Sequence, residues 1–242
     1  MQEAQPPLVW LLGKTGAGKS SIACALVGAP PTAIGDGLRP ETGAAALYDF
    51  PRERPALRLL DTPGLGDAPG EDPALAGQAA RDAALLIVVA RAGDRALGPT
   101  LAAAEAAREA RPGLPVIVAQ SWLHDLYAPG EGHAEPYPFD GTEADLARPG
   151  PPPALLEALG AQRRRFAALP GPPPRFVPLD LTRPQDGFAP ADYGADALWD
   201  AIAAAAPAVA AAARGEDDAA IRRRVLLPWA LAFAAGAMLY II

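Results

Sequence analysis

The sequence predicts an α/β fold: a six-stranded, mostly parallel sheet with one antiparallel strand, helices on both faces, and a C-terminal transmembrane helix. Three observations predict it. Short apolar runs alternate with helix-length stretches, as in a parallel sheet wrapped by crossover helices. One pair of runs is separated only by Pro51-Arg52-Glu53-Arg54-Pro55-Ala56, too short for a crossover, so those two strands form an antiparallel hairpin. Eighteen consecutive residues, VLLPWALAFAAGAMLYII, carry no charge.

In chain order, Leu8–Leu12 is a buried strand, and "GKTGAGKS" follows it directly. Residues 19–28, with Ile22, Ala23, Cys24 and Leu26, then read as a helix. A glycine-rich loop between a strand and a helix curls its backbone N–H groups around an anion, and the helix dipole adds to the attraction. Gly13, Lys14, Thr15, Gly16, Ala17, Gly18, Lys19, Ser20 and Ser21 are therefore candidate phosphate-binding residues. Gly16 and Gly18 permit the curl, Lys19 reaches the outer phosphates, and the Ser20 hydroxyl is placed to ligate Mg²⁺.

The further strands are 44–50, 57–61, 84–90, 114–120 and 176–181, and the further helices 73–83, 98–111, 154–169 and 194–213. The second strand of the hairpin ends in "LRLLDTPGLGD". A carboxylate at such a strand end, Asp61, can hold the magnesium shell, and the Gly64 N–H lies where a γ-phosphate would arrive.

Composition narrows the partners. At net charge −7 over 242 residues there is no basic footprint for nucleic acid. One cysteine, Cys24, excludes an internal disulfide and fits a reducing compartment. Met1–Pro7 lacks the basic and apolar regions of a secretory signal. Residues 121–153 form a Pro/Gly-rich stretch longer than an ordinary connection, and it holds both histidines, His124 and His133, near Asp125, Glu131 and Glu135. Two histidines without regular spacing are weak grounds for a metal centre. Arg163-Arg164-Arg165 reads as a solvated helix face.

The chain divides into a nucleotide-binding domain over 1–213, a polar and basic linker over 214–224, and the transmembrane segment over 225–242. As a helix that segment spans ~27 Å, near the thickness of a hydrocarbon core. Trp229 and Tyr240 sit near its two ends, and Arg222, Arg223 and Arg224 fit the cytoplasmic side. The expectation is a tail in the bilayer, contacting membrane lipid, with the domain in the cytoplasm.

The phosphate loop, the D-x-x-G at Asp61–Gly64 and the antiparallel pair between them resemble the Era- and septin-like P-loop GTPases of the Ras-like, translation-factor class, over residues 7–120. The resemblance implies a P-loop NTPase fold, GTP and GDP as substrate and product, Mg²⁺ as cofactor, and a switch function toward a partner protein. It implies catalytic roles for Lys19, Thr42 and Gly64 and metal ligation by Ser20, Thr42 and Asp61, with Thr32 as the alternative switch threonine. Leu65 stands where relatives carry a water-positioning glutamine, which implies slow hydrolysis unless a homodimer or an activating protein assists. The guanine-reading N/T-K-x-D is missing: Gln120 falls at the asparagine position, Leu123 at the aspartate position, and Asp125 is the displaced substitute. An ATP-using kinase or ATPase and a non-hydrolysing nucleotide-binding scaffold are the rival readings.

Overall fold

The computed structural model describes residues 6–27, 46–50, 57–62, 73–139, 150–182 and 188–206. Its strands are β1 (Leu8–Gly13), β2 (Ala46–Phe50), β3 (Leu57–Asp61), β4 (Ala83–Arg91), β5 (Val116–Ser121) and β6 (Arg175–Pro178). Its α-helices are α1 (Lys19–Val27), α2 (Pro73–Asp82), α3 (Gly98–Ala110), α4 (Pro153–Phe166) and α5 (Ala195–Ala205), with one 3₁₀ turn at Leu123–Leu126. The strands form one sheet in the order β2-β3-β1-β4-β5-β6, antiparallel at β2–β3 and parallel elsewhere.

The two-residue period of a strand sends alternate side chains to opposite faces, and here each face has its own core. Val9 and Leu11 of β1, Leu57 and Leu59 of β3, Ile87 and Val89 of β4, and Ile117 and Ala119 of β5 pack with Ile22 and Leu26 of α1 and with Leu198 and Ile202 of α5. Trp10, Leu12, Leu60, Leu86, Val88, Val116 and Val118 point the other way, toward Ala79 and Ala80 of α2, Ala104 and Ala107 of α3, and Phe166 of α4. Strands buried on both faces are apolar almost throughout, which explains why β4 reads AALLIVVAR. The phosphate loop and α1 thus belong to one defined face, and that parity decides which β5 side chains can reach them.

Cys24 is buried in α1, where burial raises its thiol to about 11 and leaves it inert at neutral pH. The arginine run of α4 is not uniformly solvated: Arg163 is half-buried, its Nε donating to Gln120 Oε1 at 3.3 Å, while Arg164 and Arg165 are exposed. No described helix is long and apolar enough to cross a membrane. The anticipated transmembrane segment 225–242, the linker 214–224, Thr32, Thr42, Gly64 and Leu65 lie outside the described residues.

Candidate nucleotide site

The loop between β1 and α1 closes on itself through Ala17 N–H donating to the Lys14 carbonyl at 3.1 Å. Gly16 (φ +75°) and Gly18 (φ +98°) adopt the left-handed conformation that makes the curl, a region that costs a residue with a Cβ about 1–2 kcal/mol. At Gly13 the constraint is closeness rather than φ, because a Cβ there would overlap the Val89 carbonyl oxygen of β4.

Lys19, the first residue of α1, is buried, and its Nζ donates to the carbonyls of Gly13 at 3.0 Å and Lys14 at 3.2 Å. Its ammonium is thereby bent back across the loop's mouth. The neighbouring Ser20 Oγ donates to Asp61 Oδ2 at 3.1 Å, which joins the loop to the end of β3. Asp61 is short of partners: its Oδ1 is buried and has no hydrogen bond among the described residues. Burial pushes the Asp61 carboxyl above the usual carboxylate range, with the Lys19 charge and the Ser20 hydroxyl pulling it partly back. An unpaired carboxylate oxygen beside a serine hydroxyl is a hard-oxygen donor set, and it fits Mg²⁺. Among the described residues no cluster of three or more His, Cys, Asp or Glu side chains could hold a metal ion on its own.

Thr62 Oγ1 donates to the Leu11 carbonyl at 3.1 Å and accepts from Trp10 Nε1 at 3.3 Å, fixing the exit of β3 against β1. Lys14 turns out of the loop and pairs with Asp94 at 2.8 Å. Burial raises the Asp94 carboxyl, but its bonds to Lys14 and to the Ala96 N–H outweigh that and leave it below the usual range. Thr15, Ser20 and Ser21 are exposed around the loop, while Ala17 is buried beneath it.

The structure corrects the expectation for Gln120. That residue is fully buried on the α4 face, its Nε2 donating to the Leu159 carbonyl and to Gln162 Oε1, both at 3.1 Å. The physical reason is strand parity: Gln120 shares its face with Val116 and Val118, whereas the phosphate loop lies on the face of Ile117 and Ala119. Ser121, the next residue, has the correct parity, and its Oγ donates to the Ala17 carbonyl at 2.7 Å. The strand also runs one residue beyond its expected end.

His124 and Asp180 form a pair that the sequence did not disclose. The His124 N–H and Nδ1 both meet Asp180 Oδ2 at 2.7 Å. Asp180 follows β6 and is 2 % exposed; burial raises its carboxyl, and His124 draws it back down. Asp125 is half-exposed, with Oδ2 accepting from Arg91 Nη2 at 2.7 Å and Oδ1 lying 3.6 Å from His124 Nε2. It lines a cavity of about 640 Å³ along the β4 flank of the loop, shared with Lys14, Thr15, Arg91, Asp94 and Thr100.

The first part of the long Pro/Gly-rich stretch is ordered against this site. His133 stacks on Tyr193 at 4.2 Å between ring centroids, Tyr193 Oη donates to the Ala134 carbonyl, and Tyr137 Oη donates to the Pro178 carbonyl. The histidines thus serve packing and the Asp180 contact. Residues 140–149 lie outside the described residues.

A glycine-curled loop, an inward lysine and a serine–aspartate pair at the carboxyl ends of parallel strands define a phosphate-loop nucleotide-binding domain. The comparisons refine that class. Residues 8–119 match the family model of the 50S ribosome-binding GTPases. Among solved structures, a probable GTP-binding protein engB shares the fold, with TM-score 0.51, 14% identity, and 84% of this chain and 99% of that one covered. The translation elongation factor SelB from Methanococcus maripaludis, in its apo form, aligns at TM-score 0.46 and 14% identity over 86% of this chain but only 34% of that chain. No curated protein sequence shows significant similarity. The family match spans residues 8–119, under half of the chain, and the likeness to the engB structure at 14% identity shows a shared fold. The matched stretch ends at Ala119, before Ser121 and the residues that follow it.

Proposed function

We propose that this chain is a membrane-anchored, Era- and septin-like GTPase that binds GTP with Mg²⁺, hydrolyses it slowly to GDP and phosphate, and signals its nucleotide state to a partner. The observation that carries the reading is the Lys19–Ser20–Asp61 arrangement on a loop already curled by Gly16 and Gly18. Lys19 exchanges its two carbonyl contacts for phosphate oxygens, and Ser20 and Asp61 hold the metal, whose charge offsets that of the outer phosphates. Thr42 and Gly64 are assigned to the γ-phosphate on the sequence resemblance. Leu65 cannot orient a water by hydrogen bonding, so turnover depends on a second copy or an activating protein. The uncharged segment 225–242 behind three arginines supports the anchor in an inner membrane.

Titration of GTP, GDP, ATP and ADP with Mg²⁺, followed by a phosphate-release assay, tests the nucleotide reading, and fractionation of the full chain with membranes tests the anchor. GTP affinity with slow release supports the proposal. Preference for ATP favours the second reading, an ATP-using enzyme, which rests on the missing N/T-K-x-D, with Gln120 and Leu123 at its asparagine and aspartate positions.

A further inference from the structure

The cavity of about 640 Å³ beside the phosphate loop is walled by the loop residues Lys14 and Thr15 and by Leu97 and Thr100 at the start of α3. None of Lys19, Ser20 and Asp61 lines it. Leu97 packs with Trp10 and Leu12, in the core opposite to the one that α1 joins, so the cavity reaches round the β4 flank, away from the loop's mouth. Val89 and Leu126 add apolar wall, and the volume is that of a small-molecule pocket.

The polar groups around it are out of balance. Both carboxylates are committed. Asp94 Oδ2 meets Lys14 Nζ at 2.8 Å and its Oδ1 accepts from the Ala96 N–H at 2.8 Å. Asp125 Oδ2 accepts from Arg91, and its Oδ1 turns toward His124 at 3.6 Å. The donors are not committed in the same way: a lysine carries three N–H groups and an arginine five, and Asp94 and Asp125 engage one on each. Thr100 is the decisive case, because it is 1 % exposed, lines the cavity, and makes no side-chain hydrogen bond among the described residues. The helix it opens adds to the surplus. α3 is 13 residues long, has no side-chain cap at Leu97, and carries no acidic residue in its first turn to offset the positive end of its dipole.

We propose that this cavity is a second ligand site, separate from the nucleotide site, and that it takes a small organic monoanion: a carboxylate on an apolar body. The carboxylate accepts from the Thr100 hydroxyl and from the Lys14 N–H groups that Asp94 leaves over, and the body lies on Val89, Leu97 and Leu126. Charge limits the ligand to a single negative group. The two cations at the rim are already matched by two carboxylates, so a dianion would be repelled by Asp94 and Asp125. Lys19, Ser20 and Asp61 take no part, so the proposal stands apart from the nucleotide reading above.

The test is calorimetric titration of sodium benzoate into the nucleotide-free full chain in detergent at pH 7.5. Benzyl alcohol and benzylamine are the uncharged and cationic counterparts of the same ring, and inorganic phosphate is the bare dianion. Benzoate is expected to fill one site at least about tenfold more tightly than either counterpart, and phosphate is expected not to displace it. Thr100→Val, which keeps the side chain's shape, weakens benzoate about tenfold, and Lys14→Met weakens it by about tenfold or more. Thr100→Ser, which keeps the hydroxyl, stays within about twofold of the parent. A merely structural threonine would shift the urea unfolding midpoint; Thr100→Val is expected to leave it in place, because no hydrogen bond within the protein is lost. No benzoate binding, benzyl alcohol binding as tightly as benzoate, displacement by phosphate, or parent-like affinity in Thr100→Val would each overturn the proposal, and none of these outcomes touches the nucleotide reading.

Discussion

Lowering the pH tests how the ordered segment is fastened beside the site. The His133 side chain is fully buried, and neither ring nitrogen has a hydrogen-bond partner among the described residues. Its surroundings are Tyr127, Phe188 and the Tyr193 ring it stacks on, with Asp180 Oδ2 at 3.5 Å and the second imidazole, His124, beyond. Burial and the nearby His124 depress the His133 pKa from 6.5 to about 4. The unfolded chain therefore takes up a proton that the folded chain refuses. The stability tied to this residue is complete above pH 6.5 and is lost as the pH falls through about 4. At ~1.4 kcal/mol per pH unit, that depression corresponds to about 3 kcal/mol in all, with about 2 kcal/mol gone by pH 5. Urea unfolding from pH 7.5 to 4, compared with His133→Phe, reads this directly. Phenylalanine keeps the stack on Tyr193 and does not titrate, so the variant's stability should fall less steeply between pH 6.5 and 4. Parallel curves for parent and variant would refute a buried neutral imidazole.

Other consequences follow from single residues. Gly13→Ala forces a Cβ into the Val89 carbonyl and should destabilise the protein by about 1–3 kcal/mol in urea unfolding while weakening nucleotide binding. Asp61→Asn removes a buried carboxylate whose pKa is raised, so the metal-free protein should melt a few degrees higher at pH 7, while the Mg²⁺ dependence of nucleotide affinity disappears. That gain should vanish toward acid pH, where the parent's Asp61 is itself protonated. A chain truncated after Arg214 should leave the membrane fraction and bind nucleotide within about twofold of the full chain, since the described site lies before residue 207.

The sheet was legible because its strands are local and strongly apolar: Leu8–Leu12, 57–61 and 84–90 each fall within a residue or two of the observed element. The hairpin was legible from six intervening residues, and the phosphate loop from glycine and lysine spacing. What the sequence hid was tertiary. Whether Gln120 or Ser121 meets the loop depends on which face of β5 α1 covers, and a one-residue difference reverses the side chain. Polar Gln120 looks like a site residue, yet its amide is satisfied inside the fold by Leu159, Gln162 and Arg163 from a helix about forty residues away. Asp180 likewise meets His124 across 56 residues, through β6 and the following loop, and no local pattern announces such a pair.

The central claim is that the Gly13–Ser20 loop is a triphosphate site worked by Lys19. It is tested most directly by calorimetric titration of GTP with Mg²⁺ into the parent and into Lys19→Met, which keeps the buried stem and removes the charge. Two charge-assisted phosphate contacts at ~1.5–3 kcal/mol each predict one saturable site in the parent and a loss of about hundredfold or more in the variant. Equal affinities in the two proteins would contradict the claim.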